Sequence, residues 1–245
     1  MVYRMFPSYV GSKRHYIPLL ERFRGMRFIE PFCGSAVLSF NLAGSCFLND
    51  ADSKVVDIIS NFDKMIVPDV FTGEDYYRVR KLPEWHLYTY VLQSMSFSGV
   101  FRYSRNGYNV PMKPQWRNKP LQIQKQYQTD LTRWRNLDIT VANLSYDQLP
   151  DKLFDNTVTV LDPPYEGSKA SYNASGFDYT YYWDWVSKHL RGIVVIFDRM
   201  SNLQKRGIPL YSTRPMTVNG KQRGDVEAMA IFNGVDWECS TLIQV

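Results

Sequence analysis

Residues 158–168, "VTVLDPPYEGS", decide how the rest of the chain is read. Val158 to Leu161 form a short run of β-branched and apolar side chains, the pattern of a strand buried on both faces. Asp162-Pro163-Pro164-Tyr165 follows at once. Neither proline offers a backbone N–H to a ladder, so the strand ends there and a rigid loop begins. That loop carries one carboxylate and one aromatic ring. Open α/β sheets bind their ligands outside the carboxyl ends of their strands, so Asp162 and Tyr165 stand where a substrate would meet them.

The same strand-to-loop pattern recurs on both sides of this stretch. In "MRFIEPFCGSAVLSFNLAG" (26–44), a strand from Arg27 to Glu30 meets a tight turn at Gly34 and a helix from Ser35 onward. "CFLND" (46–50) reads as a second strand ending in Asn49-Asp50, followed by a helical "SKVVDIISNF" (53–62). Upstream, the apolar spacing of "YIPLLERF" (16–23) predicts a helix. Downstream, strands are expected in "LDITVANLSYDQL" (137–149), "GIVVIFD" (192–198), "VEAMAIFN" (226–233) and the final "STLIQV" (240–245), with a Tyr-rich helix near 180–190. From about Asp57 to Asn136 the alternation breaks into a helical part and a turn-rich arm, "SFSGVFRYSRNGYNVPMKPQWRNKP" (96–120). The expected fold is therefore α/β, with a mainly parallel sheet interrupted by an inserted module. Residues 1–56 plus 137–245 would form the catalytic domain and 57–136 a separate recognition domain.

The chain of 245 residues is 44% hydrophobic and 22% charged, which is ordinary for a globular protein. No apolar run approaches the ~20 residues needed to span a bilayer, and the start lacks the apolar core of a signal peptide. Cys33, Cys46 and Cys239 make no CxxC pair, and His15, His86 and His189 are scattered. A zinc site is therefore not expected, and reduced thiols in a cytoplasm are. Charge is more informative. Between Phe101 and Arg135, eight Arg and Lys side chains stand against Asp130 alone, a local +7 that exceeds the +5 of the whole chain. Tyr103, Tyr108, Trp116, Tyr127 and Trp134 are interleaved with them. Such a mixture suits phosphate and base contacts, and equally a solvated basic face over core aromatics.

At "FIEPFCGS" a strand meets a helix through a glycine turn, which lets backbone N–H groups approach a ligand closely. Asp50 closes the next strand, where an acid can accept hydrogen bonds from two ribose hydroxyls. The competing reading of Asp50 is a helix cap.

Five elements in order carry a resemblance: "YVGSK" (9–13), "EPFCGS" (30–35), "ND" (49–50), "FSGVFRYSRNGYNVP" (97–111) and "DPPY" (162–165). Together they resemble the Dam-type, D12-class family of DNA adenine-N6 methyltransferases, from Tyr9 to about Asn233. The resemblance implies a Rossmann-like sheet that binds S-adenosylmethionine as methyl donor, and no metal. It places Tyr9, Lys13, Glu30, Phe32, Asp50, Tyr146 and Asp162 at the cofactor, and Asp162, Pro163 and Tyr165 at the reacting amine. For Lys13, the competing reading is a surface lysine at a helix start. The implied partner is double-stranded DNA, with the target adenine flipped out of the stack, bound by an arm that includes Arg102, Tyr103, Arg105, Asn106, Tyr108, Asn109 and Arg117. No obligate protein partner is evident, and a cytoplasmic enzyme of a bacterium or phage is the expected setting.

The chain departs from the family in three places. Gly11-Ser12 replaces a glycine pair. The arm is one residue shorter between Arg102 and Pro111 than in GATC-methylating members, and carries Met112-Lys113 where they have Phe-Gly. A one-residue slip in a hairpin reverses which side chains face the bases, so the recognised sequence stays open. Asp198 stands where a Ser-Asn step usually borders the base pocket. The rival readings are cytosine-N4 or RNA adenine methylation, and an inactive DNA-binding descendant of the family.

Overall fold

The computed structural model describes residues 2–7, 9, 11–96, 119–166, 177–218 and 221–234. The fold is mixed α/β with a mostly parallel, seven-stranded sheet. The chain divides into two compact units, Met1–Gly25 with Gly34–Asn143, and Met26–Cys33 with Leu144–Val245.

In the first unit, β2 (Ser45–Asn49) lies parallel to β3 (Asp138–Ala142), in register from Ser45↔Asp138 to Asn49↔Ala142. A parallel pair needs a long crossover. Here the crossover holds α2 (Ser53–Ser60), α3 (Gly73–Val79), α4 (Thr89–Met95) and α5 (Lys119–Asn136). Before β2 comes α1 (Val37–Leu42), buried along its whole length. The core gathers around Phe62, whose ring lies 5.5 Å from that of Tyr127 and 6.0 Å from that of Tyr90. Tyr127 donates its hydroxyl proton to the Phe62 carbonyl at 2.9 Å.

This core resolves part of the basic segment. Asp130 is wholly buried and accepts from the Tyr90 hydroxyl at 2.5 Å and from the Arg4 N–H at 2.9 Å. Arg133 donates from Nε to the Phe40 carbonyl (2.9 Å) and from Nη2 to the Ala43 carbonyl (2.7 Å). Tyr127, Asp130 and Arg133 therefore hold α5 in place, whereas Lys125 and Arg135 are exposed.

The second unit carries strands in the order β1-β4-β5-β7-β6. β1 (Arg27–Glu30), β4 (Val158–Leu161) and β5 (Ile193–Arg199) run parallel, and β7 (Lys221–Asn233) is antiparallel to β5 and to β6 (Ser212–Val218). All four residues of β4 are buried, as its continuous apolar run requires between two parallel neighbours. α6 (Tyr179–His189) is N-capped by Asp178, which accepts from the Tyr181 N–H at 2.9 Å, and α7 (Met200–Lys205) follows β5 directly.

One expectation needs correction, and one strand was not expected. Residues 16–23 do not form an α-helix; they form 3₁₀ turns over Arg14–Tyr16 and Pro18–Phe23. Pro18 has no N–H to give an i−4 bond. β6 went unread, because Pro215 argues against a strand interior. Pro215 is tolerated on this edge strand, beside a register shift between Pro215 and Thr217. The expected strand at 240–245 and the hairpin arm lie outside the described residues. No helix among the described residues is long and apolar enough to cross a membrane.

Candidate functional site

In the first unit, Tyr9 and Asp50 meet at the Gly34 turn. Gly34 has φ +45, and a Cβ built on it would lie 3.1 Å from Cε1 of Tyr9. Only glycine fits both the left-handed backbone and this approach. The Gly34 N–H donates to Oδ2 of Asp50 at 2.9 Å, and the Asp52 N–H donates to Oδ1 at 2.9 Å. Asn143 donates to the Asp50 carbonyl at 2.7 Å, fixing the end of β2 from the segment after β3.

Asp50 is not the cap of α2. That role belongs to Asp52, which accepts from the Lys54 N–H at 3.0 Å. Asp50 is left half-buried with one bond on each oxygen, and each oxygen keeps a second lone pair for a ligand hydroxyl. Burial pushes its carboxyl above the usual range, against the two backbone donors that lower it.

Lys13 is not a surface lysine. It is 6% exposed, and its Nζ donates to the Gly11 carbonyl at 2.8 Å. Gly11 takes φ +80, which turns that carbonyl back toward the ammonium. The first unit thus offers a buried cation at Lys13 and a glycine turn whose N–H is tied to the Asp50 carboxylate. This donor and acceptor set fits a zwitterionic ligand with vicinal hydroxyls, such as S-adenosylmethionine.

In the second unit, β4 delivers Asp162, Pro163 and Tyr165 in sequence. Asp162 and Tyr165 are half-buried and Pro163 is buried. The Tyr165 hydroxyl lies 2.7 Å from Oε2 of Glu227 on β7 and 3.1 Å from Oδ1 of Asp162. Burial, reinforced by the two carboxylates, pushes the Tyr165 phenol well above its ordinary range, so it stays protonated. Glu227 was not assigned to the site: the sequence marks it only as the start of a strand, Glu227 to Asn233, that resembles a later Glu…Asn strand of the family.

Glu30 is buried at the end of β1. Phe32 and Tyr146 have ring centroids 5.2 Å apart, and Phe177 and Tyr182 join them at 5.5–6.0 Å. Asp198, the penultimate residue of β5, is 3% exposed and accepts from the Arg199 N–H (2.7 Å) and from Asn202 Nδ2 (2.9 Å) on one oxygen. Burial pushes its carboxyl up to about 6, against those two donors and Arg206. Arg102, Tyr103, Arg105, Asn106, Tyr108, Asn109 and Arg117 lie outside the described residues. Among the described residues, no group of three His, Cys, Asp or Glu could hold a metal ion.

Comparison with solved structures finds a conserved hypothetical protein of Streptococcus pyogenes, 12% identical over 91% of this chain and 96% of that one, with a TM-score of 0.41. An rRNA methyltransferase of Streptomyces viridochromogenes is 9% identical over 93% of this chain and 86% of its own, with a TM-score of 0.46. A dimethyladenosine transferase of Plasmodium falciparum is 9% identical over 91% and 62%, with a TM-score of 0.39. The family model of the D12 class N6 adenine-specific DNA methyltransferases matches residues 9–201, most of the chain, and the chain belongs to that family.

Proposed function

We propose that this protein transfers a methyl group from S-adenosylmethionine to the N6 amine of a flipped-out adenine in double-stranded DNA. The observation that carries this reading is the placement of Asp162. It stands on the stiff Pro163-Pro164 loop at the end of a fully buried strand, in a chain that belongs to an adenine-N6 methyltransferase family.

The lone pair of an exocyclic adenine amine is delocalised into the ring, which makes it a poor nucleophile. Asp162 and the Pro163 carbonyl accept its two N–H groups and draw the nitrogen toward tetrahedral geometry, lone pair outward. Asp162 also stabilises the positive charge that develops on nitrogen and receives the surplus proton. The hydrogen bond that the Tyr165 hydroxyl donates fixes its ring, which offers a face for the base. In-line alignment supplies much of the acceleration. Extruding the adenine costs a few kcal/mol, met by contacts of the arm that contains Arg102, Tyr103, Arg105, Asn106, Tyr108, Asn109 and Arg117.

In the first unit, Asp50 is assigned to the donor's ribose hydroxyls, and Tyr9 and Lys13 to its polar groups. In the second, Glu30 and Phe32 are assigned to the methionine end and Tyr146 to the adenine. The test is incubation of purified protein with unmethylated bacterial DNA and S-adenosylmethionine, followed by mass spectrometry of the nucleosides. N6-methyladenine supports the reading. N4-methylcytosine overturns the choice of base, and no methylated base with no cofactor binding identifies an inactive descendant.

A further inference from the structure

The Tyr165 hydroxyl has one proton and two carboxylates to give it to. Glu227 Oε2 is at 2.7 Å and Asp162 Oδ1 at 3.1 Å. Both contacts are within hydrogen-bond range, but the shorter is the stronger, and O–H···O bonds centre on about 2.7–2.8 Å. Glu227 also sits in register with Arg199 on β5 and Arg214 on β6. Paired positions on neighbouring strands share a face, so the acid stands in a row with two cations. The shorter distance assigns the phenol proton to Glu227.

The consequence falls on Asp162. With its proton on the Glu227 side, the Tyr165 oxygen faces Asp162 Oδ1 with a lone pair. An ionised Asp162 gains nothing from that contact, while a protonated one can donate to it.

We propose that Glu227 is a positioning residue for methyl transfer: it aims the Tyr165 hydroxyl away from Asp162, so that the phenol oxygen accepts a hydrogen bond from the proton Asp162 receives. The inference rests on the function proposed above. In that step the N–C bond forms as the S–C bond breaks, the sulfonium becomes a neutral thioether, and the amine's surplus proton passes to Asp162. The carboxylate becomes a neutral acid, whose new O–H turns from the amine to the phenol oxygen by rotation about its C–O bond. The phenol, pushed well above its ordinary range mainly by burial, neither gains nor loses a proton. Arg199 and Arg214 occupy the positions paired with Glu227 across the sheet, the Tyr182 phenol couples electrostatically to Asp162, and the step consumes no further reactant.

The test is the single-turnover rate of N6-methyladenine formation, with enzyme in excess over unmethylated DNA, for four proteins: wild type, Glu227→Gln, Tyr165→Phe and the double variant. A glutamine can still accept from the phenol, so a residue that merely anchored the ring would tolerate the change. On this inference Glu227→Gln slows transfer about tenfold, because the hydroxyl turns to the stronger acceptor, Asp162, and weakens it as a base. The acid limb of the rate should move to lower pH, since the redirected hydrogen bond favours ionised Asp162. In the Tyr165→Phe background the same substitution should change the rate by less than about twofold. An equal loss in both backgrounds, or no loss and no shift of the limb, overturns the inference. Should Glu227→Gln not fold, Tyr165→Phe decides alone: transfer at the wild-type rate overturns it. A wild-type protein that transfers nothing fails the proposed function itself, before any variant is compared.

Discussion

The Gly34 N–H donates to Oδ2 of Asp50 at 2.9 Å, tying a left-handed turn to the residue that follows β2. The other Asp50 oxygen takes the Asp52 N–H, so the carboxylate is held from both sides and its outer lone pairs have a set direction. If those lone pairs receive ribose hydroxyls, Asp50→Asn should weaken S-adenosylmethionine binding by about tenfold or more, because an amide nitrogen cannot accept and the charge is lost. Wild-type affinity should also fall on acidification at a pH above that of an ordinary aspartate, because burial raises the Asp50 carboxyl. Calorimetric titration at two pH values measures both, and an unchanged affinity in Asp50→Asn would remove Asp50 from the cofactor site.

Asp198 predicts a pH dependence of stability. Its carboxyl titrates near 6 in the fold against 3.8 in the open chain, so between those values the folded state binds more protons. Stability from this group is full below the unfolded value and is lost as pH rises through about 6. Asp198→Asn keeps an oxygen for Arg199 and Asn202 and removes the buried charge. It should stabilise the protein by roughly 2–3 kcal/mol at pH 7.5, with the difference shrinking toward pH 4.5. Urea denaturation across that range checks it, and a difference independent of pH would contradict it.

Arg133 separates the structural cations of the basic segment from the rest. Its guanidinium satisfies the Phe40 and Ala43 carbonyls, and hydrogen bonds to charged groups contribute about 1.5–3 kcal/mol. Arg133→Met should therefore lower stability by about 2 kcal/mol or more. The slope of DNA affinity against salt should not change, because no phosphate contact is lost. A flatter slope with unchanged stability would place Arg133 at the nucleic acid instead.

Much of the second unit was legible because its signals are local. Arg27–Glu30 is bounded by Pro31, and Val158–Leu161 by Asp162-Pro163-Pro164, so strand and stop are adjacent in the chain. The fates of Tyr127, Asp130 and Arg133 were not legible. Their partners Phe62, Tyr90 and Phe40 lie elsewhere in the chain, and composition cannot tell a buried donor from a solvated one. Asp50 was ambiguous between ligand acid and helix cap until Asp52 was found capping α2. The sequence marks Glu227 as a strand start but not its contact with Tyr165, which forms only through the pairing of β5 with β7.

The account stands or falls on Asp162. The measurement that tests it most directly compares wild type with Asp162→Ala for N6-methyladenine formed in duplex DNA, alongside duplex affinity. Loss of methylation with binding kept within about tenfold is the predicted result, since Asp162 is asked to act on the amine and not on the phosphate backbone. A variant that methylates adenine at near the wild-type rate would contradict the mechanism.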